Sequence, residues 1–368
     1  MQPEQGWAGA QRLLCTRLDS LEGLLLTTPA LRALKEAHPR RSITLLTTPS
    51  AARAAPLLDM VDETLVHDGP GGSIDMDESL LLRLRAGGFD GAVIFNNFQQ
   101  DPLPAARLIS RAGIPRRLGQ APEDLHRLLT DWIQESDQAG RPTLRHEVRR
   151  QLDLVRALGD YPANDFLSLN LAPESVGLAV GLLYELGLDM NRPWLVLHPG
   201  ASESARRYPA PHFAQAAEEL ASAHGFQILF TGSGPETELV EEIRGRMHSR
   251  TFSLSGQLDL QTLSAVIFLA PLLISNNNAP VHLAAALQTP VVDLYALTHP
   301  QQTPWKVPHR TLFFDVPCKF CYSRDCPLGH QDCLRRVAPG RVVQAVLELI
   351  KESSSMEELK RLSAQFML

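Results

Sequence analysis

The sequence is short of positive charge, aromatic residues and long apolar runs. Acidic side chains outnumber basic ones among its 368 residues, which gives a formal net charge of −6, and aromatic residues make up 6%. Proteins dedicated to nucleic acids usually concentrate basic residues on one face, so we predict no nucleic-acid partner. No apolar run reaches the roughly 18 to 20 residues that span a bilayer. The N-terminal segment also lacks the charged and apolar regions of a secretory signal, so we expect a cytoplasmic protein with reduced thiols.

The rest of the composition is that of an ordinary globular protein, with 44% hydrophobic and 21% charged residues. Short apolar runs alternate with segments of helical periodicity, which predicts βαβ units and mostly parallel sheets. The predicted strands are residues 13–18, 43–48, 64–67, 92–95, 194–197, 227–231, 251–254, 272–275 and 291–295. The sequence therefore predicts an α/β fold with two doubly wound domains, whose ligands bind beyond the carboxyl ends of the strands.

Residues 159–173 interrupt this alternation with prolines and asparagines, and we interpret them as a linker between domains. The predicted N-terminal domain is 1–165 and the predicted C-terminal domain is 166–340. The tail at 341–368 is predicted to form two helices, the first over 342–350 and the second beginning near Ser355.

The stretch WLVLHPGASESARRYP at 194–209 is the first candidate binding site. An apolar strand ends at Pro199 and Gly200, and small residues, Arg206 and Arg207 follow before a predicted helix. Loop N–H groups and guanidinium groups in this order could hold a phosphate. At this stage an ordinary strand-to-helix turn with solvated arginines fits equally well.

Two further loops follow predicted strands. In TGSGPETE, Glu236 could accept hydrogen bonds from both hydroxyls of a ribose, or it could only stabilise a helix N-terminus. In SNNNAPVHLAAAL, Ser275 or an asparagine could cap the following helix and leave its N–H groups for an anion. His282 in that helix, taken alone, is more typical of a packed core residue than of a catalyst.

These motifs carry a family resemblance. HPGASESARRYP, FTGSGPETE and SNNNAPVHLAAALQTPVVDLYALTHP resemble, in order and spacing, glycosyltransferase family 9, the heptosyltransferases of lipopolysaccharide core assembly. The opening RLDSLEGLLLTTPALRALKEAHPRRSITLLTTP and the ending CPLGHQDCLRRVAPGRVVQAVLELI resemble it too, so the likeness covers roughly residues 12 to 350.

The resemblance implies a GT-B fold, in which two Rossmann-like domains face a central cleft. It implies inverting, metal-independent transfer from a nucleotide-diphospho-sugar such as ADP-heptose, with no cofactor for catalysis. The acceptor would be a lipopolysaccharide-type saccharide or a glycolipid, reached at the inner face of the cytoplasmic membrane with at most peripheral membrane association.

The resemblance also implies roles for individual residues. Ser202 and Arg206 match positions that hold the diphosphate, with Arg207 as a further cation, and Glu236 matches the carboxylate that binds the ribose. The loop that lies against the diphosphate is matched by Asn277, Asn278, Ala279, Pro280 and His282.

Two carboxylates of the family pattern are missing. The family has a Gly-Asp pair where this chain has Glu22 and Gly23, and that aspartate is the presumed catalytic base. Glu22 or Asp19 could replace it, since an inverting transfer needs a carboxylate near the acceptor hydroxyl. Asn277 stands at a second family aspartate and cannot act as an acid or base. The alternatives are a catalytically impaired nucleotide-sugar-binding homologue or another GT-B activity, such as an epimerase or hydrolase.

Four of the five cysteines cluster near the C-terminus in the pattern C-x2-C-x4-C-x6-C. Four thiolates suit a closed tetrahedral zinc site, which would be structural because no coordination position stays open. A reducing compartment favours zinc over disulfides, and free thiols are the alternative. The predicted ligands are Cys318, Cys321, Cys326 and Cys333, with His330 as a further candidate.

Overall fold

The computed structural model of the protein describes residues 7–69, 71–122, 125, 127–135 and 145–365, with residues 71–73 and 354–365 described by their backbone alone. The chain divides into two compact units, Met1–Asn170 and Leu171–Leu368. Within the described ranges, no helix is both long and apolar enough to cross a membrane.

The N-terminal unit contains a six-stranded parallel sheet of order β3-β2-β1-β4-β5-β6. Its strands are β1 (Arg12–Arg17), β2 (Ser42–Thr47), β3 (Glu63–Val66), β4 (Gly91–Phe95), β5 (Arg116–Ala121) and β6 (Asp131–Gln134). Its helices are α1 (Leu21–Ala37), α2 (Pro49–Ala52), α3 (Glu78–Ala86), α4 (Leu103–Arg111) and α5 (Glu147–Arg156).

The C-terminal unit contains a second six-stranded parallel sheet, of order β12-β11-β10-β7-β8-β9. Its strands are β7 (Trp194–His198), β8 (Gln227–Phe230), β9 (Thr251–Ser253), β10 (Leu273–Asn276), β11 (Val291–Leu294) and β12 (His309–Leu312). Its helices are α6 (Pro173–Glu185), α7 (Ala210–Ser222), α8 (Thr237–Arg244), α9 (Leu260–Leu269), α10 (Ala279–Leu287), α11 (Asp332–Arg335) and α12 (Pro339–Gln365).

The central strands of both sheets are mostly apolar because helices cover both faces of each sheet. Every residue of β4, β7, β10 and β11 is buried, as are all residues of β1 except Arg12. The long helix α1 starts at the N-cap Ser20, whose hydroxyl accepts a hydrogen bond from Gly23 N, and it packs against α5.

The strand order reverses direction between β1 and β4 in one unit and between β7 and β10 in the other. In doubly wound sheets, ligands bind beyond the carboxyl ends of the strands at such switch points. The loops that follow these four strands are therefore where functional side chains are expected.

All nine predicted strands are confirmed, each within one residue of its predicted ends. Strands β5, β6 and β12 are additional. They lack an apolar run, because β6 and β12 lie at sheet edges and the arginine-rich β5 lies next to β6. The prediction of two tail helices is wrong, since α12 runs without interruption through Ser353 to Ser355. Its first turns pack on α7 and β12 of the C-terminal unit.

Candidate functional site

In the C-terminal unit, the loop after β7 is held by the loop after β10. Asn276 Nδ2 donates to the carbonyl oxygen of Pro199 at 2.7 Å, and Asn278 Nδ2 donates to that of Gly200 at 2.6 Å. Asn276 Oδ1 in turn accepts from the backbone N–H of Tyr208 at 2.9 Å. Both asparagines are buried, so these bonds form away from water. The predicted phosphate-binding loop is thus a fixed structure and not a loose turn.

Arg206 is the buried cation of this loop, with only 8% of its surface exposed. Its Nε lies 2.8 Å from Glu203 Oε2, and its Nη2 lies 3.2 Å from His299 Nδ1. Its Nη1 approaches the carbonyl oxygen of Asn277 at 3.5 Å. Burial, together with the charge of Arg206, lowers the pKa of His299 to about 4, so this imidazole is neutral near pH 7.

The other two residues predicted for the diphosphate lie at the surface. Arg207 is exposed, and its Nε donates to the carbonyl oxygen of Ala201 at 2.8 Å, which braces the loop from outside. Ser202, which follows Ala201 in the same loop, is also exposed. The two neighbouring arginines therefore have different environments, which the sequence did not reveal.

Glu236 lies against the same loop and also caps its own helical turn. Its Oε2 accepts from Ser233 N at 2.7 Å and from Ser233 Oγ at 2.8 Å. The same carboxylate is 3.6 Å from His198 Nε2, and a Cβ added to Gly200 would lie 2.0 Å from its Oε1. Burial lowers the pKa of His198, and the charge of Glu236 opposes this. This position fits a carboxylate that stabilises a helix N-terminus, and it also fits one that accepts hydrogen bonds from a ribose.

The helix α10 begins at Ala279, two residues before Val281, where the sequence predicts its start. Asn278 occupies its N-cap position, but no side chain caps the helix there, because Asn278 Oδ1 accepts from Ser275 Oγ at 3.0 Å instead. The predicted side-chain cap is therefore wrong. His282 is fully buried in this helix.

Asn277 contacts the carboxyl group of Asp293, which was not predicted as a site residue. Its Nδ2 donates to Asp293 Oδ2 at 3.0 Å and to the carbonyl oxygen of Gln302 at 3.0 Å. Asp293 is fully buried, and burial raises its pKa to about 8 against the opposing effects of the Asn277 hydrogen bond and the Arg206 charge. The signal that could have revealed it is an aspartate inside the apolar run VVDLY.

In the N-terminal unit, Asp19 follows β1 and is held by a buried arginine. Arg17 donates from Nε to Asp19 Oδ1 and from Nη2 to Asp19 Oδ2, both at 2.7 Å, and from Nη1 to Glu147 Oε1 at 2.9 Å. Asn97 Nδ2 also donates to Asp19 Oδ2, at 3.1 Å. The Arg17 side chain has no exposed surface, whereas that of Asp19 is 12% exposed. Asp19 is thus a fixed carboxylate that solvent can still reach.

Burial lowers the pKa of Arg17, but the two carboxylates outweigh it and raise that pKa above its ordinary value. The guanidinium stays charged and keeps both carboxylates in place. Glu147, which lies on α5 far along the chain, was not predicted because a glutamate at a helix start carries no signal of its own.

Gly23 and Asp19 compete for the same space. A Cβ added to Gly23 would lie 2.4 Å from Asp19 Oδ2 and 2.5 Å from Arg17 Nη2, which is closer than real Cβ contacts come. The carboxylate of Asp19 therefore fills the volume into which a side chain at position 23 would project. Glu22 lies beside it, half-buried in the first turn of α1.

The four clustered cysteines are free thiols and half-buried. Cys318 Sγ lies 3.7 Å from His330 Nε2, and Cys326 Sγ accepts from Gln331 N at 3.3 Å. Burial raises the pKa of the Cys333 thiol. Across the ranges that the structure describes, no group of three or more His, Cys, Asp or Glu side chains is arranged to hold a metal ion. Structural zinc thus gains no support here and stays a prediction, which metal analysis of the purified protein would test.

The chain matches the family model of glycosyltransferase family 9 (heptosyltransferase) over residues 79–331. It is 32% identical over 166 residues to lipooligosaccharide heptosyltransferase 2 of Campylobacter jejuni, a match that covers 43% of this chain and 51% of that one. The chain thus spans about half the length of this relative. With lipopolysaccharide heptosyltransferase 2 of Salmonella typhimurium it shares 26% identity over 346 residues, which cover 89% of this chain and 95% of that one.

Solved structures of two such proteins have a similar fold. The glycosyl transferase family 9 protein from Veillonella parvula superposes with a TM-score of 0.79 at 22% identity, covering 93% of this chain and 98% of that one. ADP-heptose lps heptosyltransferase II of E. coli superposes with a TM-score of 0.74 at 22% identity, covering 93% and 99%. With its two six-stranded parallel sheets flanked by helices, the chain has the α/β GT-B fold and belongs to glycosyltransferase family 9.

Proposed function

We propose that this protein is a heptosyltransferase-like glycosyltransferase. It transfers a sugar, with inversion, from a nucleotide-diphospho-sugar such as ADP-heptose to a lipopolysaccharide-type saccharide or glycolipid acceptor. Support comes from family membership and from the names of relatives that match along nearly their whole length. With a glycolipid acceptor, the reaction takes place at the inner face of the cytoplasmic membrane, with at most peripheral association of the protein.

In this proposal the donor binds to the loop after β7. The diphosphate accepts hydrogen bonds from loop N–H groups and from the buried Arg206, and the N-terminus of α10 adds a favourable dipole. Charge that accumulates on the leaving nucleotide is stabilised by a cation whose position is already set, so little reorganisation is needed in the transition state. Glu236 accepts the ribose hydroxyls. No cofactor takes part in catalysis.

Asp19 is the general base of the proposed reaction. The observation that carries this assignment is the overlap between its carboxylate and a side chain at Gly23, the position of the family's presumed base. Arg17 and Asn97 orient the carboxylate, and its partial exposure leaves room for an acceptor hydroxyl. Asp19 is favoured over Glu22 because its carboxylate lies in that volume and is oriented there by Arg17 and Asn97. A catalytically impaired homologue becomes the weaker interpretation, since a carboxylate is present after all.

The test is a transfer assay with ADP-heptose and a lipopolysaccharide acceptor that lacks the outer heptose, with product anomers identified by NMR. We expect Asp19→Asn to lower kcat by on the order of 100-fold or more, while the Kd for ADP stays unchanged. The matched control is Glu63→Gln, an exposed carboxylate at the amino end of β3, which should keep full activity.

Three outcomes would contradict the proposal. If Glu22→Gln and not Asp19→Asn abolished transfer, Glu22 would be the base. Release of free sugar without an acceptor would indicate a hydrolase, and retention of anomeric configuration would exclude the inverting mechanism.

A further inference from the structure

We propose that Asn277 and Asp293 form a coupled pair that positions Arg206 for the donor diphosphate. The neighbouring strand β11 supplies the carboxyl group that the Asn277 amide binds. The identification of the ligand as a nucleotide diphosphate rests on the proposed function. The pairing itself rests on the contacts of the C-terminal unit.

The amide of Asn277 satisfies two acceptors at once. Both of its Nδ2 hydrogens are donated, one to Asp293 Oδ2 and one to the carbonyl oxygen of Gln302, each at 3.0 Å. A carboxylate at position 277 could donate neither bond, and it would place two acidic groups in direct contact. Asn277 therefore partly offsets the cost of burying the Asp293 carboxyl group, by donating a hydrogen bond to it.

Asp293 lowers the stability of the folded protein relative to an apolar residue at the same position. It is fully buried, and its neighbours across the sheet are Ser275 on β10 and Thr311 on β12, neither of which is charged. Among the described residues, its Oδ1 makes no hydrogen bond. Burying a carboxyl group with one unsatisfied oxygen costs free energy that an apolar side chain in the run VVDLY would avoid. Perturbed acids of this kind cluster at functional sites.

The link to the donor site is Arg206. The backbone carbonyl of Asn277 lies 3.5 Å from Arg206 Nη1, while the Asn277 side chain is held by Asp293. The charge of Arg206 also acts on the Asp293 carboxyl group. Asp293 is thus a positioning residue, which acts on the cation through Asn277.

The pair gives donor binding a dependence on pH. The charged and titratable groups facing Asp293 are Arg206, Tyr295 and, beyond Arg206, His299 and Glu203. With a pKa of about 8, Asp293 is neutral at pH 7, so it adds no second negative charge to the one that Glu203 places beside Arg206. Above pH 8 the ionised carboxylate attracts Arg206 and repels the diphosphate. Donor affinity should therefore fall as pH rises through 8.

The experiment is calorimetric titration of ADP into the whole protein and four variants at several pH values from 6 to 9. The variants are Asn277→Asp, Asp293→Asn, the double exchange of both, and the control Glu219→Gln, an exposed acid on α7. We expect the wild-type Kd to rise up to about tenfold between pH 7 and pH 9, and the control to behave identically.

Asn277→Asp should weaken ADP binding at least about tenfold at pH 7. Asp293→Asn should change the Kd at pH 7 by less than about fivefold and abolish its rise above pH 8. The double exchange should recover most of the affinity lost in Asn277→Asp, which is the signature of a coupled pair.

The proposal is overturned if Asn277→Asp binds ADP like the wild type, if the double exchange is as weak as the two single changes combined, or if Asp293→Asn keeps the pH dependence. Should Asn277→Asp fail to fold, the pH profile of Asp293→Asn decides alone. Failure of the wild type to bind ADP at any pH would instead contradict the proposed function.

Discussion

The carboxylate of Asp19 occupies the space beside Gly23, since a Cβ added to Gly23 would lie 2.4 Å from Asp19 Oδ2 and one of the two would have to move. A carboxylate therefore lies at this place in the N-terminal unit even though residue 23 is a glycine. Asp19 reaches the same volume from the other side of the N-cap residue Ser20, and a buried arginine holds it there.

This overlap predicts that restoring the family residue alone is harmful. We expect Gly23→Asp to destabilise the protein by about 1–3 kcal/mol through overpacking and to lower kcat. In the double variant Asp19→Ser/Gly23→Asp the contact with the Asp19 carboxylate is gone, and the Arg17 guanidinium can shift to pair with the new carboxylate, so activity and stability should largely return. Urea denaturation and steady-state kinetics measure both. A Gly23→Asp protein more active than the wild type would show that Asp19 is not the base.

The buried pair between Arg17 and Glu147 predicts a large loss of stability when one charge is removed. Glu147→Gln leaves Arg17 with less compensation, so the free energy of unfolding should fall by about 3 kcal/mol. The matched control is Glu36→Gln on α1, whose surface pair with Arg32 should contribute less than about 1 kcal/mol. Equal effects of the two changes in urea denaturation would contradict the importance of the buried pair.

Glu236 can be tested for its two roles separately. If its carboxylate binds the ribose, Glu236→Gln should weaken ADP binding about tenfold and leave the binding of inorganic pyrophosphate unchanged. Ser233→Ala, which removes the partner of the helical cap, should lower thermal stability without changing the ratio of the two affinities. A Glu236→Gln variant that loses both ligands equally would indicate that the residue only shapes the loop.

The lowered pKa of His299 predicts that the C-terminal unit becomes less stable in acid. Its pKa of about 4 in the folded protein is below the ordinary value of 6.5, so folding favours the neutral imidazole. The stability this contributes is complete above pH 6.5 and decreases as pH falls towards 4. From pH 7 to pH 5 the loss should be about 2 kcal/mol. Urea denaturation at both pH values should show this loss in the wild type, and His299→Gln should reduce it by that amount.

The fold could be predicted in large part because strands and helices are specified locally. Short apolar runs identify β1 to β4 and β7 to β11, and the central strands among them are mostly apolar because helices cover both faces of the sheet. Strands β5, β6 and β12 were not predicted because their sequences are arginine-rich or short and polar. They are stabilised by pairing with neighbouring strands, which the sequence of one strand does not show. The serines at 353–355 predicted a break that the helix α12 does not have.

The sequence by itself determined the two parallel sheets, the loops at their switch points and the membership of the chain in its family. Only the tertiary structure decided which side chains lie beside Gly23 and Asn277. Asp19 and Gly23 share one volume because of the geometry of a helix N-terminus. Asn277 and Asp293, 16 residues apart, meet because β10 and β11 are neighbours in the sheet. Spacing along the chain specifies secondary structure, but the distance between two charged groups depends on how those elements pack.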